Sequence, residues 1–229
     1  MSSSTTARLA APLVLLLTLL AGCSDDDGGG GSEDPLAAAK EQLDETSGVT
    51  ISLVTDKLPE KVNGVLEANG VGTHDPAFEG DLKVRANGFT VDVPVVSVDG
   101  TVYAELPFTN KFNEVDPADY GAPDPAGLMD PTGGLSSWLT AAEGIEEGDE
   151  VREGEKVLTS YSGTLPGTAV ADVIPSADDE ADFEVTFRLD DDDRLESAEI
   201  VGPFYGDQGD VEYALTLSDY GTEKDITAP

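Results

Sequence analysis

The sequence predicts an α+β fold in which a strongly curved antiparallel sheet, a half-barrel, carries short helices over its concave face. Three observations lead to this prediction. Segments of alternating apolar and polar residues recur along the chain, tight turns join most of them, and a few short stretches have helical spacing instead. Tight turns make neighbouring strands antiparallel. Because each strand has a single apolar face, one side of the sheet needs a cover, and the helical stretches can provide it.

The first half of the chain reads as a helix followed by hairpins. Asp34 caps a helix that has Pro35 at its first position, and Gly48 ends it. Asn87-Gly88 is a hairpin turn signal, and Pro94 places its strand at an edge, in a bulge or beside an unpaired stretch. About nine strands are predicted in all, over 49–55, 64–73, 80–87, 89–95, 101–106, 155–163, 182–190, 195–201 and 210–218.

Two helices are predicted in the second half. Five prolines break regular structure across residues 107–132. In residues 135–142, Leu135, Trp138, Leu139 and Ala142 share one helical face. A short helix over 167–174 places Val170, Val173 and Ile174 on one face.

The composition excludes several classes of function. Lys and Arg number 12 against 47 Asp and Glu, giving a net charge of −35. Binding to nucleic acid through phosphates, or to anionic lipid through a polybasic segment, needs the opposite balance. The chain has one Cys and one His, so we expect no intrachain disulfide, no metal site, no cofactor and no enzyme activity.

The N-terminus reads as a targeting segment. Arg8 precedes Leu9–Ala21, which has no charge and is too short to cross a bilayer as a helix. Leu20-Ala21-Gly22-Cys23 resembles the lipobox of bacterial lipoproteins, which predicts a signal peptide over 1–22 and a diacylglyceryl group on Cys23. The alternative is a secreted protein whose Cys is incidental.

Three regions follow from this interpretation. The signal peptide precedes a lipidated Cys and a flexible acidic Gly/Ser linker over 23–33, and a single domain occupies 34–229. Two acyl chains suffice for stable anchoring. The predicted location is therefore the cell membrane, with the protein anchored by lipid on the extracytoplasmic side.

Two other candidate sites are weak. His74, in Thr-His-Asp-Pro, reads as a surface turn, and the chain has no Gly-x-Ser-x-Gly motif that would accompany it in a hydrolase. Asp190–Asp193 with Glu196 allows a calcium site or a hairpin turn. Leu195 stands where a calcium loop needs Gly, which favours the turn.

Several motifs resemble one family when taken in order. After the lipobox come a short helix and the strand 49–54, then Val-Ser-Val-Asp-Gly-Thr-Val-Tyr-Ala within 91–106, and the pair Lys111-Phe112. Leu-Met-Asp-Pro-Thr-Gly-Gly-Leu at 128–135 leads into a helix, and 213–223 ends in Ser-Asp-Tyr-Gly-Thr-Glu. Together these features resemble the LppX/LprAFG family of actinobacterial cell-envelope lipoproteins, over most of residues 35–228.

The resemblance implies a fold and a function. The fold would be a LolA/LolB-like half-barrel whose concave face and helices enclose a hydrophobic cavity for acyl chains. Mycobacterial family members bind acylated lipids or glycolipids and move them towards the outer envelope, some with a membrane exporter. The implied partners are thus such a lipid, the cytoplasmic membrane and an exporter, and the family supplies no catalytic residues.

Small and branched apolar residues are the best candidates to line such a cavity, because they leave space that Phe would fill. The predicted lining residues are Leu53, Val91, Val93, Val95, Leu128, Leu135, Trp138, Leu139, Val170, Val173, Ile174, Val185 and Phe187. The alternative function is an envelope structural or signalling lipoprotein that docks a protein partner. A cavity inside the concave face favours the lipid carrier, whereas a filled core with an exposed apolar patch favours the docking protein.

Overall fold

The protein is built on one antiparallel sheet of eleven strands. A computed structural model describes residues 34–107, 109 and 111–229. The strands are β1 (Gly48–Val54), β2 (Gly64–Thr73), β3 (Ala77–Ala86), β4 (Phe89–Val98), β5 (Thr101–Glu105), β6 (Phe112–Val115), β7 (Glu143–Glu153), β8 (Lys156–Pro166), β9 (Asp182–Leu189), β10 (Leu195–Gly202) and β11 (Val211–Ser218).

The sheet is open and nearly sequential in its strand order. The order is β6-β5-β4-β3-β2-β1-β11-β10-β9-β8-β7, so β6 and β7 are its free edges. Among the described strands, the only pairing between strands distant in sequence joins β1 to β11 at the centre, where Leu53 lies opposite Leu215. This arrangement confirms the predicted antiparallel sheet with one covered face. Glu33–Pro229 form one compact unit with its own hydrophobic core.

Three short helices cover part of the concave face: α1 (Pro35–Glu45), α2 (Ser137–Ala141) and α3 (Gly167–Val173). The Asp34 carboxylate accepts the Leu36 backbone N–H at 3.1 Å, as expected of a helix cap. Leu36, Ala39 and Leu43 form the buried stripe of α1. Within the described residues, no helix is both long enough and apolar enough to cross a membrane.

The helices divide the concave face into two unequal parts. Over β8–β11 they complete a dense core that contains Phe183, Phe187, Leu189 and Leu217. Over β3–β6 the buried cluster consists of the small side chains Val93, Val95, Val102 and Ala104. Phe78 of β3 is also buried on this part of the sheet. Among the described residues, the regular segments over this part are two 3₁₀ turns, Pro117–Tyr120 and Pro125–Met129.

The predicted hairpin turns are present. Asn87 and Gly88 both have positive φ, 51° and 82°, which is the backbone of a two-residue hairpin turn. Pairing between β4 and β5 begins at Val95, immediately after Pro94. Pro94 therefore lies where β4 is unpaired on its β5 side, one of the three arrangements that the sequence allowed.

Two strands were not predicted, and one helix is shorter than predicted. β7 is almost entirely exposed and highly charged, so it has no apolar alternation, and backbone pairing with β8 holds it in place. β6 lies within the proline-rich stretch that was predicted to be irregular. The helix predicted over 135–142 spans only Ser137–Ala141, because Gly134 and Leu135 belong to the preceding turn.

Candidate functional site

An apolar cavity of about 220 Å³ lies between the β2–β6 part of the sheet and the segments that cover it. Its floor is formed by inward side chains of neighbouring strands, such as Leu82 and Val84 of β3 and Val93 and Val95 of β4. Its cover is the segment from Pro117 to Pro125. Because inward residues of β1–β6, β10 and β11 all reach this one space, the sheet curves around it.

The structure brings part of the predicted lining set together. Seven predicted residues line the cavity: Leu53, Val93, Val95, Leu128, Leu135, Trp138 and Ile174. Val91 packs against the buried cluster that forms part of the cavity floor. The other five lie in the dense core instead: Leu139, Val170, Val173, Val185 and Phe187.

The five core residues share one physical reason for their position. They come from α2, α3 and β9, the elements that pack on one another in the filled part of the face. Side-chain alternation assigns a residue to the concave face, but it does not indicate which part of that face a helix covers.

Sequence reasoning missed the part of the lining that comes from β3, from β5 and the residue after it, from β6 and from the cover. The missed residues include Leu82, Val84, Ala104, Leu106, Val115 and Pro123. A signal for two of them was present. The Asn87-Gly88 turn sets the β3–β4 register, which places Leu82 opposite Val93 and Val84 opposite Val91.

An aromatic wall separates the cavity from the filled core. Phe204 makes edge-to-face contacts with Phe183 and Tyr213, each with ring centroids 5.0 Å apart. Tyr213 donates its hydroxyl hydrogen to the Val65 carbonyl at 2.8 Å, so Tyr205 donates to the Tyr213 oxygen at 2.7 Å. Burial raises the pKa of both phenols, which therefore stay protonated and neutral.

Trp138 joins the two covering helices at the cavity wall. It is 4% exposed, and its indole N–H donates to the Ala169 carbonyl in α3 at 3.0 Å. It packs in the core and lines the cavity as well.

The 128–135 segment positions two lining leucines. The Leu135 N–H donates to the Leu128 carbonyl at 2.9 Å, which holds the two residues side by side. The Asp130 carboxylate closes the turn by accepting from the backbone N–H of Thr132 at 2.8 Å and from its hydroxyl at 2.7 Å. These hydrogen bonds hold the pKa of Asp130 below its ordinary value.

Gly134 is required by this turn. A methyl group there would lie 2.5 Å from the Leu128 carbonyl oxygen and 2.6 Å from that of Asp130, and both are backbone atoms. We expect Gly134→Ala to cost about 1–3 kcal/mol of stability, which lowers the melting temperature by about 2–12 °C. Gly133→Ala is the control, because nothing lies within 4 Å of its methyl position. Equal melting temperatures for the two variants would contradict this reading of the turn.

A single cationic side chain lines the cavity among the described residues, and it has a structural task. The Arg85 guanidinium donates from Nε to the Val62 carbonyl at 2.8 Å and also to the carbonyls of Leu58 and Pro59. It thereby holds the β1–β2 connection against β3. Asn63 lies beside it at the same end of the cavity.

The other sequence candidates have structural roles. His74 Nε2 lies 2.7 Å from the Leu43 carbonyl, so it carries the proton and ties the β2–β3 turn to α1. Asp190 accepts the backbone N–H groups of Asp192 and Arg194, which makes this region a hairpin turn. The described residues contain no group of three His, Cys, Asp or Glu side chains that could hold a metal ion.

Comparison with known families decides what kind of protein this is. The family described as LppX_LprAFG lipoprotein matches residues 32–227. The chain belongs to this family. Its members are carrier lipoproteins and not enzymes, which confirms the sequence-based prediction.

Curated relatives extend over most of the chain. This chain is 27% identical over 206 residues to the lipoarabinomannan carrier protein LprG of Mycobacterium bovis (strain BCG / Pasteur 1173P2). The match covers 85% of this chain and 84% of the relative. The same values hold for the protein of that name from Mycobacterium tuberculosis (strain ATCC 25618 / H37Rv).

Two solved structures share the fold. LprF from Mycobacterium bovis superposes with a TM-score of 0.70 at 17% identity, covering 85% of this chain and 95% of LprF. The Mycobacterium tuberculosis lipoprotein LppX gives a TM-score of 0.62 at 16% identity, covering 84% of this chain and 96% of LppX. These likenesses confirm the predicted fold class.

Proposed function

We propose that this lipoprotein is anchored outside the cytoplasmic membrane, binds an acylated lipid or glycolipid in its cavity and carries it across the cell envelope. The apolar cavity under the Pro117–Pro125 cover is the observation that carries the proposal. A relative named as a lipoarabinomannan carrier supports it. A docking protein with a filled core would have no use for such a space.

The cavity suits transfer of lipid, since it resembles the bilayer in polarity. Each methylene moved from water into an apolar site contributes about 0.8 kcal/mol. A chain moved from a bilayer into this cavity exchanges one apolar surrounding for another, so the net change is small. A carrier of this kind can therefore take up and release the same lipid.

The ligand would be held by its acyl part, with its headgroup outside. The cavity is smaller than the ~300–1,000 Å³ typical of pockets that enclose a drug-sized ligand, so several chains at once would require the cover to shift. Tyr120 in the cover is 55% exposed. The Pro117–Pro123 part of the cover therefore has solvent on its outer side, and in this proposal it is the element that shifts.

Trp138 offers a direct test, because it is the only Trp in the chain and lies at the cavity wall. Brominated fatty acids quench indole fluorescence on contact. We expect saturable quenching of Trp138 by a brominated long-chain fatty acid, reversed by excess unbrominated chain. A brominated short-chain acid of equal charge is the control, since it buries little apolar surface. Absence of saturable quenching by the long chain would overturn the carrier proposal.

The anchor belongs to the same proposal and lies outside the described residues. Residues 1–22 would be removed as a signal peptide, Cys23 would carry the diacylglyceryl group, and 24–33 would link it to the domain over 34–229. Mass spectrometry of the protein from its own membrane should find an N-terminal peptide that begins at lipidated Cys23. An unmodified Cys23 would leave the protein without its proposed anchor.

A membrane exporter is the proposed partner in transport.

A further inference from the structure

One corner of the sheet differs from the rest of the molecule. The hairpin corner, as we define it, consists of the β1–β2 connection (55–63) and the tip of the β3–β4 hairpin (85–91). The two parts are joined, because the Asn63 side-chain oxygen accepts the Asn87 backbone N–H at 2.8 Å. Arg85 ties them again through its bonds to the carbonyls of the connection.

The hairpin corner exposes the most accessible large apolar side chain of the described residues. Phe89 is 73% exposed, compared with 55% for Tyr120 and 40% for Val151. Its place in β4 puts it on the same face as Val91 and Val93. Its partner across the hairpin is Ala86, which lines the cavity. The apolar floor of the cavity therefore continues outward to Phe89.

The charge of this corner departs from that of the chain. Lys57, Lys61 and Arg85 stand against Asp56 and Glu60, so the corner is slightly cationic in a chain of net charge −35. Lys57 and Lys61 are exposed, and within the described residues neither forms an ion pair. The same end of the sheet becomes acidic again in the β10–β11 connection, with Asp207 and Asp210.

We propose that the hairpin corner docks the protein on a lipid bilayer, with Phe89 inserted at the headgroup level and Lys57 and Lys61 against lipid phosphates. A Phe ring beside Lys suits this interface, because the ring can enter the apolar boundary of the bilayer while the ammonium groups stay among the lipid phosphates. The site adjoins the end of the cavity lined by Asn63, Gly64 and Ala86, so a chain could pass between bilayer and cavity. The role we assign to this docking, transfer of a chain between bilayer and cavity, rests on the proposed carrier function.

The net negative charge does not prevent such docking at physiological salt. The Debye length is about 8 Å at 0.15 M and about 30 Å at 0.01 M. At the higher salt the anionic membrane interacts mainly with the corner that touches it. At the lower salt it is also repelled by the carboxylates on the rest of the protein. Binding to anionic vesicles is therefore expected to increase as salt is raised from about 0.01 to about 0.15 M, opposite to the behaviour of a polybasic segment.

Vesicle flotation tests the proposal with residues 33–229, which form a compact unit with its own core. The probe is vesicles of phosphatidylcholine mixed with phosphatidylglycerol. We expect the wild-type segment to float with them at about 0.15 M salt. Phe89→Ser should lower the partition coefficient onto the vesicles about tenfold or more, given the transfer free energy of a Phe side chain. Its melting temperature should not change, since Phe89 is exposed.

Two further variants separate docking from general adhesion. Val151→Ser, on the acidic edge strand β7, is the matched control and should bind like wild type. Lys57→Gln with Lys61→Gln should weaken binding to the mixed vesicles more than binding to phosphatidylcholine alone. The proposal is overturned if the wild-type segment fails to float, which would leave the corner to a protein partner. It is also overturned if Phe89→Ser binds like wild type or if Val151→Ser loses binding equally.

Failure of this proposal is distinct from failure of the carrier function. Flotation reports attachment to a bilayer surface, whereas quenching of Trp138 reports occupation of the cavity. A protein quenched by the brominated chain but absent from vesicles would retain the carrier function and lose the docking site. A protein that floats but is not quenched would retain the docking site and lose the carrier function.

Discussion

Val93→Trp is expected to remove most of the lipid that co-purifies with the protein while leaving its melting temperature close to that of wild type. Val93 lines the cavity on β4 and is 7% exposed. On its β5 side the strand is unpaired, because pairing starts only at Val95. A Trp side chain at this position has empty volume to occupy, and it takes that volume from the ligand.

Val185→Trp is the matched control for this substitution. Val185 is 2% exposed and packs within the filled core on β9, between Gly163 of β8 and Ile200 of β10. Overpacking there is expected to cost about 1–3 kcal/mol, so the melting temperature should fall by about 2–12 °C. Calorimetry and mass spectrometry of extracted lipid measure the two effects separately.

The opposite pattern would favour the docking-protein alternative. If Val93→Trp lowers the melting temperature as much as Val185→Trp, and wild type from its own membrane carries no lipid, the space beside Val93 is packed in solution. The comparison uses the same substitution at two buried valines on one sheet face. A difference between them therefore reports the space around each site and not the chemistry of Trp.

The fold was predictable wherever strands have one buried face. β9 alternates Phe183, Val185, Phe187 and Leu189 with polar residues, and the structure places all four in the core. β7 was missed because an edge strand with both faces exposed has no such pattern. Its stability comes from backbone pairing with β8, to which side-chain identity contributes little.

The candidate site was predictable only in part, for a related reason. Alternation indicated that Val93 and Val185 both face inward, but not that helices fill the space above Val185 and leave the space beside Val93 empty. That difference depends on the lengths of α1–α3 and on the part of the sheet over which they pack. The cover from Pro117 to Pro125 has no repeating pattern, so its place over the cavity follows only from the tertiary structure.

Trp138→Ala is expected to lower the melting temperature strongly while lipid binding persists. Truncation of a buried Trp to Ala costs about 3–5 kcal/mol, or about 6–20 °C in a domain of this size. It also leaves the Ala169 carbonyl without its indole donor. Because one side of Trp138 already borders the cavity, the loss should lie near the lower end of that range, and the enlarged cavity should still accept an acyl chain.

Phe183→Ala provides the comparison, since Phe183 is fully buried and does not line the cavity. Its truncation should cost more than that of Trp138, towards about 5 kcal/mol, because all its surroundings are packed. The contrast with Val93→Trp is equally informative: one variant should lose stability and keep lipid, and the other should keep stability and lose lipid. If Trp138→Ala instead abolished lipid binding while remaining folded, Trp138 would be a specific ligand contact and not part of a passive apolar wall.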